Sequence, residues 1–407
     1  MNKPQDTPAA LEPFVQRHFL RIVIGAFVTL IACALLVIWM PDSQKQRNAP
    51  RPRQKTGGYG YHYTGPDWIP ESVPLEDLKS ATSLFRLPVY SKQVTDAGLA
   101  RLLGMTNLTW LEINSNQVTD AGLEHLKGLT NLTYLSLDCE QITDASLENL
   151  KGLTNLKYLC LYNTQITDAG LAQLAGMTNL NELFLNGSQI TGPGLEHLIG
   201  LKTICLFKTP VTDDGLKYFK GLTNLIDLNL NNTQITDAGL QHLKGLTNLL
   251  TLSLDNTLVT DAGLVHLKGM TNLMHLYLKN TQITGTGFEH LTGLTNFRGL
   301  IASNSQVTDA GLEHLKGMSL LDSLSIDRTR VTGAGLEHLK GIPKLRFLRI
   351  DSTQVTDASL EYLKGLTNLD TLYLDDSQGT DAECMAKLRK DLQTRWILPD
   401  PTIPEGM

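Results

Sequence analysis

The sequence predicts an α/β solenoid tethered by one apolar segment, and three observations carry that reading. A pattern opening on leucine restarts at Leu84, Leu108, Leu132, Leu156, Leu180, Leu201, Leu225, Leu249, Leu273, Phe297, Leu321, Leu345 and Leu369, thirteen copies in all. Eleven of the twelve intervals are 24 residues and one is 21. Each copy reads as a short strand followed by a short helix. Ahead of the copies, nineteen residues from Ile22 to Met40 carry no charge. A fixed period of this size means stacked coils, each able to bury its apolar face only against its neighbours.

Residues 1–21 form a short polar tail ending in Arg17 and Arg21. As a helix rising 1.5 Å per residue, residues 22–40 would span about 28 Å, close to a bilayer core of roughly 30 Å. Trp39 lies at the far edge, where interfacial aromatics are expected. A cleaved signal peptide, or lipid attachment at Cys33 in Leu30-Ile31-Ala32-Cys33, are the alternatives. The length of the run and the lack of a small-residue cleavage site after it favour an uncleaved transmembrane helix. Lys45, Arg47, Arg51, Arg53 and Lys55 follow it, against two basic residues before it. By the positive-inside rule the C-terminal part then lies on the cytoplasmic side. Residues 41–67 are a basic linker rich in proline and glycine. In residues 68–83, Trp68, Leu75 and Leu78 resume apolar spacing and are expected to cap the first coil.

Residues 84–385 hold the thirteen coils. In Leu108-x-x-Leu111-x-Ile113 the alternation is that of a strand, with Leu111 and Ile113 inward and Trp110, Glu112 and Asn114 outward. Thr119 and Asp120 are good helix N-caps, and apolar residues at Leu123 and Leu126 give the helix a buried stripe. About two turns later Gly128 closes it. In residues 386–407, Leu388, Leu392, Trp396, Ile397 and Leu398 are expected to cover the last coil before a proline-rich tail.

Leu108-x-x-Leu111-x-Ile113-x-x-Asn116-x-Val118 resembles the leucine-rich repeat. The tail Val-Thr-Asp-Ala-Gly-Leu-x-x-Leu resembles its cysteine-containing subclass. The near-identical copies and short anchor look like leucine-rich repeat proteins of bacteria such as planctomycetes. The resemblance implies a right-handed horseshoe, with a parallel sheet on the concave face and short helices on the convex one. Where the family has Asn or Cys, this chain carries Thr164, Thr209, Thr233, Thr257, Thr281, Thr329 and Thr353, with Ser188, Ser305, Ser377 and once Glu140. A hydroxyl both donates and accepts, so these residues are expected to form a ladder bridging turn backbone groups. Between Leu180 and Leu201 three residues are missing and Pro193 and Pro210 flank the gap. That coil is expected to depart from its neighbours on the convex side.

Residues 1–67 carry net charge +4 and residues 68–407 net −10. An acidic solenoid argues against nucleic acid as its ligand, because neutralising phosphates needs a basic face. The five cysteines lack Cys-x-x-Cys spacing and read as free thiols. Seven histidines (His125, His197, His242, His266, His290, His314 and His338) share one column. Neighbouring helices stand about 8–10 Å apart, too far for these rings to converge on a metal. The many glycines read as punctuation. No phosphate loop, nucleophile elbow or nucleophile–base pair can be named, so neither a catalytic residue nor a cofactor is expected.

The outward strand positions instead suggest a binding face. Trp110, Tyr134, Tyr158, Tyr162, Phe184 and Phe207 concentrate six aromatics within five coils, in a chain that is only 6% aromatic. Aromatics with polar rims anchor protein interfaces. The last coils present Asp327, Asp351 and Asp375 beside Arg346 and Arg349, which reads as a solvated polar face. The expected function is a membrane-anchored scaffold docking a protein or peptide. The alternative is a rigid envelope-spacing protein without a specific ligand.

Overall fold

The structure, a computed structural model, describes residues 85–90, 94–351, 353–374, 388 and 396–398. All of these belong to one compact unit, residues 63–407. The tail 1–21, membrane span 22–40, linker 41–67 and cap 68–83 expected above lie outside the described residues. Among the described residues no helix is long and apolar enough to cross a membrane.

One parallel sheet holds fourteen strands in strict sequence order. The first four are β1 (Arg86–Tyr90), β2 (Trp110–Asn114), β3 (Tyr134–Asp138) and β4 (Tyr158–Tyr162). Five shorter ones follow: β5 (Glu182–Phe184), β6 (Thr203–Cys205), β7 (Asp227–Asn229), β8 (Thr251–Ser253) and β9 (His275–Tyr277). The sheet ends with β10 (Gly299–Ile301), β11 (Ser323–Ser325), β12 (Phe347–Arg349), β13 (Thr371–Tyr373) and β14 (Trp396–Leu398). Leu111 pairs with Leu135 and Leu135 with Leu159, so identical repeat positions lie side by side. The shortened coil keeps this register, with Leu183 beside Ile204. At the far end β14 pairs with β13 and Leu388 joins the core. The sheet is therefore extended by one further strand beyond the last coil, while Leu392 of the expected C-terminal cap lies outside the described residues.

Each coil contributes the same apolar set to one continuous core. In the second coil Leu108, Leu111, Ile113, Val118, Leu123, Leu126 and Leu129 are all fully buried. Burying one such side chain is worth roughly 1.5–3 kcal/mol. Some helical returns are two α-turns throughout, as at Asp144–Leu150 and Asp237–Leu243, and others tighten into 3₁₀ geometry. Asp120–Leu123 is α-helical and Glu124–Leu126 is 3₁₀. A 3₁₀ turn rises about 2.0 Å per residue against 1.5 Å, so few residues bridge more distance.

Two hydrogen-bond ladders tie coil to coil. Along one edge Asn131, Asn155, Asn248, Asn272 and Asn296 each donate through Nδ2 to a backbone carbonyl 25 residues earlier. The other explains the Val-Thr-Asp-Ala-Gly motif. Asp144 accepts from the Thr167 amide at 2.7 Å and the Thr167 hydroxyl at 2.6 Å, both in the next coil. Thr167 in turn caps its own helix by accepting from the Ala169 amide. The motif's threonine therefore caps its own helix, while its aspartate clamps the following coil. A Cβ on Gly170 would lie 2.2 Å from Asp144 Oδ1, so this glycine makes room for the preceding clamp and is more than punctuation. Ser146 takes the equivalent place above Asp120, whose bonds to Thr143 remain.

The clamp recurs from Asp96, Asp120, Asp144 and Asp168, then from Asp213, Asp237 and Asp261, then from Asp309. It is interrupted where Gly192, Gly285 and Gly333 replace the aspartate. There Thr212 and Thr308 fall back on backbone carbonyls of Thr191 and Thr284, and the Thr356 amide donates to Ser359 Oγ. The first interruption lies in the shortened coil. Gly192 has φ +135°, Pro193–His197 forms a 3₁₀ helix and Ile199 is left exposed, so this coil does depart from its neighbours.

The Thr/Ser positions behave differently from expectation. Thr233, Thr257, Thr281, Ser305, Thr329 and Thr353 are buried, and each hydroxyl donates to a carbonyl three residues back. They close the turn of their own coil and do not bridge coils. In the second and third coils the interior place belongs to Ser115 and Cys139, with Asn116 and Glu140 exposed. A left-handed residue causes this one-place slip. Asn163, Lys208, Asn232, Asn256, Asn280, Asn304 and Arg328 all have φ between 51° and 59°, turning the next residue inward. Ser115 and Cys139 are not preceded by such a turn.

Candidate binding face

Alternation places Leu111 and Ile113 in the core and leaves Trp110, Glu112 and Asn114 on the other face of the sheet. Trp110, Tyr134 and Tyr158 are in direct register on β2, β3 and β4. The Trp110 and Tyr134 rings stack with centroids 4.8 Å apart and planes 12° from parallel. Tyr158 continues the row at 6.0 Å with a 36° tilt. Arg86 closes one end, its guanidinium carbon 4.0 Å from the Trp110 ring centroid in a cation–π contact. At the other end the Tyr158 hydroxyl donates to Glu182. Both Tyr158 and Glu182 are raised in pKa, chiefly by burial. Tyr158 is the most open of the three rings, at 38% exposure.

One expected contact residue is placed otherwise. Phe184 is only 6% exposed and lies between Cys160 and Cys205 in the next column. These three form a small apolar cluster on the sheet's outer face, with Tyr134, Tyr162 and Phe207 packed against it. Its neighbours in register are small, so the flanking rings close over Phe184. It holds up the surface and does not form it. Burial pushes the Cys160 thiol up to about 12. Tyr134, Tyr162 and Phe207 are half-buried, each with an edge toward solvent.

Beyond the aromatics lies a carboxylate-bearing stretch that the sequence reading passed over. Glu182, Thr203, Asp227, Thr251 and His275 continue the column of Trp110. Burial, and then the nearby charge of Glu182, push the Asp227 carboxyl up to about 7. Asp255 rises to about 6 through burial, opposed by the Lys279 amide, which donates to it at 2.7 Å, and by the Lys279 charge. Tyr277 rises to about 12 through burial and the charges of Asp227 and Asp255. The signal was present as acidic residues facing outward at Glu182, Asp227 and Asp255.

The polar end proves internally paired. Arg349 Nε lies 2.7 Å from Asp351 and 3.5 Å from Asp327, and its guanidinium stands 5.3 Å from the Tyr373 ring. Arg346 pairs with Asp370. Ser303 and Ser325 both donate to Asp327. Asp327, Asp351 and Asp370 are thus held by this chain's own cations and hydroxyls, and Asp375 lies outside the described residues.

Comparison with known proteins agrees with the architecture. Family models described as leucine-rich repeat match residues 106–166, 130–190 and 221–244. An internalin of Listeria monocytogenes is similar at 28% identity with a TM-score of 0.61, covering 80% of this chain and 88% of that one. A second internalin of that organism is 32% identical, with a TM-score of 0.40, over 49% of this chain and 81% of that one. A leucine-rich repeat protein of Leptospira interrogans is 16% identical, with a TM-score of 0.43, over 79% of this chain and 98% of that one. No protein of curated function matches.

Proposed function

The chain is a leucine-rich repeat protein, and from that premise we propose that it is a membrane-anchored scaffold docking a protein or peptide partner on the outer face of its sheet. Extended surfaces of this kind are what stacked-repeat proteins use for binding. The anchor is residues 22–40, and the basic residues after it favour a solenoid on the cytoplasmic side. No catalytic step, cofactor or metal enters the reading.

The observation that carries the proposal is the braced row Arg86, Trp110, Tyr134 and Tyr158. Stacked rings have already lost most of their rotamer freedom, so a partner binding them gives up little more entropy. The aromatic cluster behind them holds the row at a fixed height. Such rigid aromatic anchors carry binding hot spots. The test is photo-crosslinking from position 158 in the full-length membrane-bound chain, followed by affinity measurement on the captured partner. Trp110→Ala and Tyr158→Ala should each weaken binding by about 2 kcal/mol or more. Affinity unchanged by both, with the fold intact by circular dichroism, would place the partner elsewhere. Protease added to intact cells should spare the solenoid; cleavage there reverses the orientation.

A further inference from the structure

We infer that the helical face of the sixth to eighth coils rests on an anionic lipid surface, through lysines that lack the glutamate found beside them elsewhere in the repeat. This contact rests on the membrane-anchor reading proposed above and lies on the face opposite the docking row.

The repeat supplies its own comparison. In five coils the lysine closing the helix follows a glutamate by three residues: Glu124 and Lys127, Glu148 and Lys151, Glu313 and Lys316, Glu337 and Lys340, Glu361 and Lys364. That spacing sets opposite charges side by side on a helical turn. The ion pair measures 4.0 Å in the second coil, 2.5 Å in the third and 2.6 Å in the twelfth. In the sixth, seventh and eighth coils the lysine stays, as Lys220, Lys244 and Lys268, but Lys217, Gln241 and Val265 replace the glutamate. Elsewhere among the first twelve coils this lysine never occurs without its glutamate.

Lys217, Lys220, Lys244 and Lys268 are all exposed. Among the described residues none of them enters an ion pair. Lys217 Nζ stands 5.2 Å from the Tyr218 ring. Next to the other two replaced glutamates come His242 and His266, neither acidic. The carboxylates of these turns lie at their opposite ends. Asp213, Asp237 and Asp261 are each held there by the threonine of the following coil, and Asp214 is the one further acid. Seven residues of α or 3₁₀ turn put about 10–14 Å between those acids and the lysines. That exceeds the screening length of about 8 Å at physiological salt. Two aliphatic side chains border the lysines where the repeat normally has charge. Ile199, in the lysine position of the fifth coil, is 62% exposed, and Val265 is 43% exposed.

This pattern fits an array of negative charge better than a single carboxylate. Neighbouring helices stand about 8–10 Å apart, so the three closing lysines spread over roughly two such steps. Anionic headgroups present charge over that whole width, and each lysine brought to such a surface adds to the attraction. Aliphatic side chains beside the lysines can enter the headgroup layer. A polyanion free in solution must instead approach a solenoid of net charge −10. A solenoid tethered through residues 22–40 is already held near the bilayer, where a small patch suffices. The cytoplasmic side favoured by the basic residues after that segment is also the side of the anionic leaflet.

The experiment places the full-length chain in nanodiscs of phosphatidylcholine, with or without about one-third phosphatidylserine, and follows acetylation of each lysine by mass spectrometry. Lys220, Lys244 and Lys268 should react at least about fivefold more slowly in the anionic discs, while Lys127 reacts alike in both. Salt at about 0.5 M should remove the difference. Lys217→Glu, Gln241→Glu and Val265→Glu together restore the repeat's glutamates at exposed positions and should abolish the protection. Lys151→Glu should leave it intact. Equal reactivity in both lipids, or protection that survives the triple variant, overturns the inference and leaves the docking reading standing. Equal protection by a single-stranded oligonucleotide in neutral discs overturns it in favour of a soluble polyanion. A chain that inserts into neither disc refutes the anchor instead. That chain is then sedimented with vesicles of the same two compositions: binding to the anionic ones alone upholds the patch, and binding to neither overturns it as well.

Discussion

Replacing Asp144 by alanine tests whether the coils are held by the aspartate clamp or by leucine packing alone. The side chain accepts two hydrogen bonds from Thr167, at 2.7 Å from the amide and 2.6 Å from the hydroxyl. Removing it leaves a part-buried backbone N–H without a partner, which costs about 1–3 kcal/mol. The Thr167 hydroxyl loses its fixed direction, weakening its cap on Ala169 by about 0.5–1 kcal/mol. Loss of a negative charge in the first helical turn adds about 0.3–1 kcal/mol. Together these give about 2–5 kcal/mol, read as a lower urea midpoint at an unchanged slope. Hydrogen exchange should accelerate most at the Thr167 amide.

Gly170→Ala provides the internal control. Helix propensity alone would make it stabilising by about 1 kcal/mol, but the new methyl would press on Asp144 Oδ1. Ser146 shows that a coil built for it accommodates a Cβ above such a carboxylate, so the net cost should stay near 1–2 kcal/mol. In the Asp144→Ala background the same change should become neutral or stabilising. Two results would refute the clamp: an Asp144→Ala cost no larger than that of the exposed Glu148→Ala, or a stabilising Gly170→Ala in the unmutated chain.

Three further outcomes follow from the same structure. Gly215→Ala would place a methyl 1.8 Å from the Thr191 carbonyl oxygen and should cost more than about 3 kcal/mol, whereas Gly245→Ala, with nothing within 4 Å, should be near neutral in urea unfolding. Phe184→Ala should lower stability by about 3 kcal/mol, unlike Tyr158→Ala, whose effect should fall on affinity; equal stability losses would mean that both rings are packed alike. Asp227 has its folded-state pKa raised from 3.8 to about 7, so its contribution to stability is fully present at low pH and is lost as pH rises through that window. Asp227→Asn should therefore raise the melting temperature at pH 8 and leave it unchanged near pH 4.

Much of this architecture is legible in the residues. Period, strand register and core follow from leucine spacing, because each copy must bury the same face against the next. The placement of Ser115 and Cys139 was less so. A single left-handed residue shifts which side chain turns inward, and the spacing of leucines is blind to it. The clue lay in asparagine, which tolerates that conformation, standing before the buried Thr or Ser at Asn163, Asn232, Asn256, Asn280 and Asn304. Alternation put Phe184 correctly on the outer face but said nothing about the rings that close over it. The clamp escaped notice because it joins residues 23 apart, and its glycine looks like any other turn residue.

The three interruptions of that clamp have a consequence for how the array comes apart. A chain whose units bond only to their neighbours behaves as a one-dimensional lattice, and its cheapest boundary between ordered and melted stretches falls at the weakest link. Gly192, Gly285 and Gly333 set three such links, where a carboxylate bridge gives way to neutral bonds. An unfolding front entering from either end stalls inside a clamped block and advances in jumps from one glycine to the next. Under force or mild denaturant the molecule should thus lose whole groups of coils at a time, with the segment carrying Trp110, Tyr134 and Tyr158 melting as one piece.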